Sequence, residues 1–265
     1  MSRGNEESVF AEERKHLIVE LVNKQVKTTV AQLCDEFKVS PATVRNDLRE
    51  LEFAGLLKRT HGGAISNRKT NYEPTFYEKL VERIDEKRAI AEAAAAMVQD
   101  GDTVAIDSGT TTLELAKHLT HVQNLTVVTY DLQVATFLER NSQATIILLG
   151  GILRRDLFYT SGPMTITALQ GLNVDRVFLS TNGVAAGKGV TSPNMDQAKL
   201  KEEMVHIGDD VILLADHTKL GKAAFIKFAD LSEVDVLYTD DRADERIVEE
   251  LRSEGLEIEV VSVEK

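Results

Sequence analysis

Residues 40–51 combine side chains that would suit a helix lying in the major groove of DNA. Ser40 is a favourable N-cap, and Pro41 fits the first helical position. An apolar stripe at i, i+4 and i+7 would face the core: Val44, Leu48 and Leu51. The opposite side carries small, amide and cationic side chains: Ala42, Arg45, Asn46 and Arg49. Such groups can contact base edges and phosphates, so double-stranded DNA is the first candidate partner.

A second group of polar residues, 107–112, could hold an anion. The run Asp-Ser-Gly-Thr-Thr-Thr ends a predicted strand and opens a predicted helix. Gly109 permits a sharp turn, and the hydroxyls and free N–H groups at the helix start would converge on one spot. A phosphate is the natural occupant, although ordinary hydroxyl capping of the loop explains the same residues. The run lacks the lysine and the spacing of a P-loop, which argues against a nucleoside triphosphate.

Polar residues follow other predicted strands as well. Carboxyl ends of parallel strands share one edge of a sheet, so these residues are expected to line one site. The candidate ligand-binding set is Asp107, Ser108, Gly109, Thr110, Thr111, Thr129, Asp131, Gly150, Gly151, Arg154, Asn182, Gly183, Asp216 and Lys219. This mixture suits a phosphorylated sugar or sugar alcohol better than an apolar ligand. Singly, several have simpler explanations, such as turn formation by Asn182-Gly183 or N-capping by Asp131.

Enzyme sites fit the sequence less well. The six histidines and the single cysteine form no group with metal-ligand spacing, so no metal is expected. Ser108 lacks the Gly-x-Ser-x-Gly surroundings of a nucleophilic serine. Acid–base chemistry on a sugar phosphate stays open, because Asp107, Asp131, His217 and Lys219 all follow predicted strands.

The elements that must position these residues indicate two domains. Apolar residues at helical spacing predict two helices before residue 40: Leu17, Ile18, Leu21 and Val22 in the first, and Val30, Leu33, Cys34 and Phe37 in the second. Gly55 would end the third helix, and residues 58–64 predict a hairpin, or wing, with a Gly-Gly turn. Residues 1–65 are therefore predicted to form a winged helix-turn-helix domain, followed by a polar linker at 66–75.

Residues 76–265 have the pattern of an α/β domain. One long helix is predicted over 76–98. Apolar strands follow at 103–107, 125–129, 145–149, 174–180, 211–215, 234–239 and 258–261. Helices are predicted near 111–119, 131–140, 196–207 and 243–254. Short Val/Ile/Leu-rich strands that alternate with helices predict a mostly parallel, buried sheet, and the whole chain is assigned to the α+β two-domain class.

Charge is distributed unevenly along the 265 residues, which carry a net charge of −12. Residues 1–70 hold 12 of the 31 basic and 10 of the 43 acidic residues, a net +2, which leaves −14 for the rest. The acidic remainder would resist nucleic acid, so DNA contact is expected only in the first quarter. A single cysteine, with no apolar run typical of a signal peptide or membrane span, predicts a cytoplasmic protein without a membrane partner.

The order and spacing of these motifs resemble the DeoR family of bacterial transcriptional regulators over nearly the whole chain. The similar segments are 39–55, Arg59-Thr60-His61-Gly62-Gly63-Ala64, Glu86-Lys87, Ile90-Ala91, Gly101-Asp102, 107–111, Gly150-Gly151 and 215–219. The recognition helix departs from the family, which usually has two basic residues where this chain has Arg45-Asn46. Because asparagine can bridge an adenine, a different operator sequence is expected.

The resemblance implies a winged helix-turn-helix joined to a sensor domain that is similar to ribose-5-phosphate isomerases and binds phosphorylated sugars. Those isomerases carry an Asp-Gly-Ala-Asp-Glu motif, whereas the corresponding-looking residues 180–184 read Ser-Thr-Asn-Gly-Val and lack its carboxylates. We therefore predict a repressor of a sugar uptake or catabolism operon, controlled by a phosphorylated sugar, with no catalytic residues and no cofactor. The alternative is a sugar-phosphate isomerase or transferase with an appended DNA-binding domain.

The predicted DNA-contacting residues are Thr29, Ser40, Ala42, Thr43, Arg45, Asn46, Arg49, Lys58, Arg59 and His61. Asp47 is expected to be structural, because phosphates would repel its carboxylate. One short reading helix gives little specificity, so a homo-oligomer, either dimer or tetramer, is predicted to read two half-sites. The ligand signal is expected to pass through residues 66–98.

Overall fold

A computed structural model describes the chain over residues 11–25, 27–53, 56–60, 62–66 and 73–263. The chain divides into two units, residues 1–69 and 70–265. The predicted helix end at Gly55, the predicted DNA contact His61 and most of the predicted linker lie outside the described residues.

Over its described residues, the first unit contains three helices and a small antiparallel sheet. In chain order its elements are α1 (Ala11–Gln25), β1 (Lys27–Thr29), α2 (Val30–Phe37), α3 (Pro41–Phe53), β2 (Leu57–Thr60) and β3 (Gly63–Ser66). The strand order is β1-β3-β2, so the predicted wing is present as the β2–β3 hairpin. The sequence pattern does not predict β1, because three residues are too few for an alternating pattern. Gly63 allows its close approach, since a Cβ there would lie 1.9 Å from the Thr28 carbonyl oxygen.

The core of the first unit joins all three helices to the wing. Its buried residues are Ile18, Val22, Leu33, Val44, Leu48, Leu51, Leu57 and Ala64. An ion pair links α1 to α3: Arg14 Nε lies 2.8 Å from Asp47 Oδ2, and its NH2 donates to Oδ1 at 3.2 Å. Asp47 is only 3% exposed, which confirms the prediction that this carboxylate is structural.

The second unit is built on a seven-stranded parallel sheet. Its strands in chain order are β4 (Thr103–Ile106), β5 (Thr126–Thr129), β6 (Thr145–Leu148), β7 (Ile152–Arg154), β8 (Tyr159–Ser161), β9 (Val174–Ser180), β10 (Gly183–Ala185), β11 (Gly189–Ser192), β12 (Gly208–Leu214), β13 (Ile226–Ala229), β14 (Val236–Asp240) and β15 (Glu257–Val261). The large sheet has the order β15-β14-β12-β9-β4-β5-β6. All seven predicted strands belong to it, and every pairing is parallel. The hairpin β7–β8 and the antiparallel sheet β10-β11-β13 were not predicted.

Helices cover both faces of this sheet. They are α4 (Phe76–Leu80), α5 (Ile84–Ala95), α6 (Thr110–His118), α7 (Leu132–Asn141), α8 (Pro163–Leu169), α9 (Met195–Ile207) and α10 (Glu245–Ser253). Residues of α5, α6 and α7 fill the core on one face, and residues of α8, α9 and α10 fill the core on the other. Among the described residues, no helix has the length and apolar character that crossing a bilayer requires.

The prediction of one long helix over 76–98 was wrong. The chain breaks between α4 and α5, and Arg83 adopts a left-handed conformation with φ 52°. The Lys87 ammonium donates to the carbonyl oxygens of Lys79 and Glu82, which satisfies backbone groups at the break. No glycine or proline marks this position, and the helical periodicity of apolar residues continues across it. The break is therefore stabilised by the side chain of Lys87, four residues after Arg83, and not by a glycine or proline that the sequence would show.

Candidate functional site

A polar pocket lies in the second unit, at the carboxyl ends of β4, β9 and β12. Its lining residues are Lys79, Glu82, Arg83, Lys87, Ser108, Thr110, Thr111, Ser180, Thr181, Asn182, Gln197, Asp216 and Lys219. Six of the predicted ligand-binding residues meet here: Ser108, Thr110, Thr111, Asn182, Asp216 and Lys219. These residues lie close together because they follow the ends of β4, β9 and β12, which are neighbouring parallel strands.

One side of the pocket is the N-terminus of α6. Thr110 and Thr111 are its first two residues, and Gly109 stands at the N-cap without a side-chain hydrogen bond. First-turn N–H groups have no acceptor within their own helix and carry partial positive charge. Gly109 also lets this loop lie against β9, since a Cβ there would be 3.0 Å from Ser180 Oγ. The arrangement offers N–H and hydroxyl donors to an anion.

Four cations line the pocket against two carboxylates. Lys79, Arg83, Lys87 and Lys219 outnumber Glu82 and Asp216. Arg83 Nε is buried and has no hydrogen-bond acceptor within the described part of the chain; the nearest carboxylate oxygen in an ion pair, Asp216 Oδ1, is 3.7 Å away. A guanidinium nitrogen in that state is well suited to receive a ligand oxygen.

Two lysines of the pocket, Lys79 and Lys87, have a pKa below that of free lysine. Burial lowers the pKa of Lys79, and it lowers the pKa of Lys87 to about 8, although Asp216 opposes that shift. Burial would raise the pKa of Asp216, but Lys219, hydrogen bonds from Thr218 and the charge of Arg83 together hold it below its usual value. Near neutral pH the pocket therefore presents a charged Asp216 and a Lys87 that is close to its titration point.

Asp107, a predicted ligand contact, lies behind the pocket in an internal network. Its carboxylate accepts hydrogen bonds from Ser180 N at 2.7 Å and Ser180 Oγ at 2.8 Å, and a further one from the Tyr130 hydroxyl. It also pairs with Lys201, which is fully buried and donates to the Ser180 carbonyl oxygen at 2.8 Å. Asp107 thereby connects β4, β9 and α9, and it acts on the pocket through Ser180.

Thr129 and Asp131 also lie outside the pocket lining. Thr129 Oγ1 donates to the Ile106 carbonyl oxygen at 2.7 Å, which ties β5 to β4. Asp131 caps α7, because its Oδ1 accepts from the N–H groups of Gln133 and Val134. Burial raises the pKa of Asp131 to about 6, and its Oδ2 has no hydrogen-bond partner in the described ranges. The simpler explanation, N-capping, accounts for Oδ1 of Asp131.

The remaining predicted residues have roles in packing. A Cβ at Gly151 would lie 2.2 Å from Thr165 Oγ1, and a Cβ at Gly183 would lie 2.5 Å from the Lys222 carbonyl oxygen. The carbonyl oxygen of Gly150 accepts from Thr165 Oγ1 at 2.8 Å. Arg154 NH1 lies 4.0 Å from Asp196 Oδ2. None of these four predicted residues is among those that line the pocket.

Although two of them end or directly follow β9, several lining residues are not in the predicted set. They are Lys79, Glu82, Arg83, Lys87, Ser180, Thr181 and Gln197. The first four lie around the α4–α5 break, which the predicted continuous helix over 76–98 does not contain. Gln197 opens α9 and accepts from Ser192 Oγ at 2.9 Å. The sequence signal that could have indicated them is the group of basic residues Lys79, Arg83 and Lys87 within the predicted helix.

In the first unit, α3 presents the predicted reading surface. Ala42, Arg45, Asn46 and Arg49 are exposed, whereas Val44, Leu48 and Leu51 are buried as the periodicity predicts. Arg49 NH1 donates to Asn46 Oδ1 at 3.2 Å, and Asn46 Nδ2 donates to Glu50 Oε1 at 2.8 Å. The amide and guanidinium groups therefore form one polar row on the outer side of the helix.

The flanking residues fix the ends of the reading helix and the wing. Thr29 forms a capping box with Gln32 at the start of α2. Ser40 Oγ accepts from Thr43 N at 3.2 Å at the start of α3, as predicted. Lys58 is exposed on the wing. The Arg59 N–H donates to Glu52 Oε1 at 2.8 Å, which ties β2 to α3.

Comparison with known proteins agrees with these two units. Residues 14–70 match the model of the DeoR-like helix-turn-helix domain, and residues 82–241 match that of the DeoR C terminal sensor domain. Half of the chain superposes on 52% of ribose 5 phosphate isomerase A from Neisseria gonorrhoeae, with 14% sequence identity and a TM-score of 0.38. That likeness is too slight to support a shared function.

Two relatives span almost the whole chain. The HTH-type transcriptional regulator GlpR of Haloferax volcanii is 39% identical over 246 residues, covering 93% of this chain and 96% of that protein. The HTH-type transcriptional repressor GlcR of Bacillus subtilis is 32% identical over 250 residues, covering 94% and 96%. These names favour the predicted regulator over the alternative of an isomerase or transferase. The chain belongs to the DeoR family of DNA-binding transcriptional regulators, with a helix-turn-helix domain followed by a sensor domain.

Proposed function

We propose that the chain is a cytoplasmic repressor of a sugar uptake or catabolism operon, and that a phosphorylated sugar or sugar alcohol in the pocket controls its binding to the operator. The observation that carries this proposal is the union of the α6 N-terminus with four cationic side chains in one pocket. A dianionic phosphate is the ligand group that such donors favour.

The rest of the ligand would contact neutral and acidic groups. Ser108, Asn182 and Gln197 offer hydroxyl and amide groups, and Asp216 offers an ionised carboxylate. These side chains donate to and accept from hydroxyl groups, and they give little apolar surface. A polyhydroxy chain with a terminal phosphate fits this lining better than an aromatic or aliphatic ligand.

The signal would leave the pocket through residues 79–87. Lys79, Glu82, Arg83 and Lys87 line the pocket, and they precede the sheet in the chain, within the predicted coupling segment 66–98. A ligand that draws Arg83 and Lys87 towards its phosphate would favour one arrangement of the α4–α5 break. Binding shifts the equilibrium only if that arrangement also differs in its affinity for DNA.

The hydroxyls of Thr110 and Thr111 provide the test of the phosphate site. Phosphorylated sugars are first screened for those that raise the melting temperature of the full chain. Each such sugar is then added to the complex of the protein with a DNA fragment that the protein selects from a random pool. Removing two hydrogen bonds to a charged ligand costs about 1.5–3 kcal/mol each. The double variant Thr110→Val/Thr111→Val should therefore need more than about tenfold higher ligand concentration to release DNA.

Thr136→Val is the matched control, because Thr136 is exposed on α7 outside the pocket. All three proteins should bind the DNA equally well without ligand. Unchanged ligand response in the double variant would remove the α6 N-terminus from the site. A chain that selects no DNA fragment, or that no phosphorylated sugar stabilises, would contradict the proposed function itself.

A further inference from the structure

An apolar surface with few charges occupies one edge of the second unit. It is formed by β6, β7 and the start of α8. Its exposed residues are Ile147, Leu148, Ile152, Leu153 and Met164. Ile152 is 69% exposed and Met164 is 73% exposed. We call this set the β6 surface.

The three parts of the β6 surface are joined by direct contacts. Thr165 Oγ1 donates to the Gly150 carbonyl oxygen at 2.8 Å, which fixes the start of α8 to the end of β6. Ile152 Cδ1 would lie 3.6 Å from a Cβ at Gly162, so β7 packs beside the residue that precedes α8. The segments that carry the exposed apolar side chains are therefore neighbours at this edge of the unit.

The two edges of the seven-stranded sheet differ in their protection. β15 forms one edge and carries Glu257 and Glu259, charges that discourage pairing with another strand. β6 forms the other edge, pairs only with β5 among the described residues, and reads Thr-Ile-Ile-Leu. An open, uncharged, apolar edge strand is one that another chain normally covers.

The charge pattern indicates which partner fits. The segment 142–174 contains only three charged residues, Arg154, Arg155 and Asp156, although 28% of the whole chain is charged. Two copies of a chain with net charge −12 repel each other over most of their surfaces, and an uncharged surface is where they can approach at least cost. A basic partner would instead be drawn to the acidic remainder of the molecule.

We propose that the β6 surface is the interface between two copies of this chain, related by a two-fold axis. A symmetric dimer needs a self-complementary surface, and an apolar edge strand with neighbouring apolar side chains meets that requirement. The inference rests on the proposed function, in which a homo-oligomer reads two half-sites, and it names the surface that forms this oligomer.

The test compares masses by sedimentation equilibrium of the full chain without DNA. Wild type should sediment as a multiple of the 29.3 kDa chain. Ile152→Glu/Met164→Glu should sediment at half the wild-type mass or less, because a carboxylate from each copy would be buried against apolar groups. The control variants Phe225→Glu and Val260→Glu place the same charge at exposed apolar positions elsewhere, 56% and 43% exposed, and should keep the wild-type mass.

Hydrogen exchange of the wild type gives a second measurement that needs no variant. Amides of residues 145–153 should exchange about tenfold more slowly at concentrations where the oligomer forms than after dilution. A monomeric wild type, an unchanged mass in the double variant, or protection confined to residues 257–261 would overturn the interface. Wild type that oligomerises through this surface but binds no DNA would contradict the proposed function instead.

Discussion

At the scale of single residues, Lys87 would link binding of the proposed ligand to pH. Its pKa of about 8 means that the ammonium is mostly charged at pH 7 and mostly neutral at pH 9. A phosphate monoester has its second pKa near 6, so the ligand charge hardly changes in this range. Affinity for a phosphorylated sugar should therefore fall by up to about tenfold between pH 7 and 9.

Isothermal titration calorimetry at pH 7, 8 and 9 checks this expectation. Lys87→Met should bind more weakly at pH 7 and show a flatter profile, because the titrating charge is gone. Its melting temperature is recorded alongside, since Lys87 also holds the carbonyl oxygens of Lys79 and Glu82. A slope that persists in Lys87→Met would mean that Lys87 is not the group that titrates.

Arg49 is the residue-scale test of the reading surface. It is exposed on α3, and its guanidinium already contacts Asn46 Oδ1 at 3.2 Å. If it reads a guanine, Arg49→Ala should weaken binding to the selected DNA fragment by about 1–3 kcal/mol. Arg88→Ala removes an exposed arginine from the sensor domain and should leave binding unchanged. Equal footprints for wild type and Arg49→Ala would exclude Arg49 as a reader.

At the scale of elements, the ion pair between α1 and α3 fixes the reading helix. Removing one partner of a buried pair removes its hydrogen bonds and its attraction for the other charge, so Asp47→Ala should destabilise the first unit by on the order of 3 kcal/mol. Amides of α3 that exchange through unfolding of this unit should then exchange about a hundredfold faster.

Two comparisons make that measurement specific. Glu50→Gln removes the exposed partner of Lys15 on the same helices and should leave the exchange rates of α3 unchanged. Amides of β4 and β5, in the other unit, serve as an internal reference within each sample. Unchanged α3 exchange in Asp47→Ala would mean that packing of the apolar face alone holds the helix.

The α4–α5 break is the element that local reasoning could not find. Helix propensity and periodicity both favour continuation, and no breaker residue is present. The break instead depends on Arg83 in a left-handed conformation and on Lys87, which supplies donors to the interrupted backbone. Around this break, four charged side chains line the pocket. The prediction of a continuous helix did not place them there.

At the scale of the whole molecule, charge separates two kinds of surface. Residues 38–69 hold seven basic and three acidic residues, while the chain as a whole is acidic. DNA affinity gained from phosphates is thereby confined to the reading helix and wing, which limits non-specific binding by the remainder. The proposed β6 interface would complete this arrangement by presenting two reading helices to two half-sites.

The sequence by itself determined the elements whose signals are local. Periodicity gave the helix-turn-helix and all seven strands of the parallel sheet, and capping residues such as Ser40 marked helix starts. The shared position of strand ends brought Ser108, Thr110, Thr111 and Asn182 to one pocket. These features depend on neighbours a few residues apart, or on the general rule that parallel strands end at one edge.

Only the tertiary structure decided which polar groups face the pocket and which are used internally. Asp107 and Asp216 follow strands in the same way, yet Asp107 is enclosed by Ser180, Tyr130 and Lys201 while Asp216 lines the pocket. The difference arises because Lys201 reaches Asp107 from α9, 94 residues away in the chain. Contacts at such separation depend on how the helices pack on the sheet, and no local pattern encodes them.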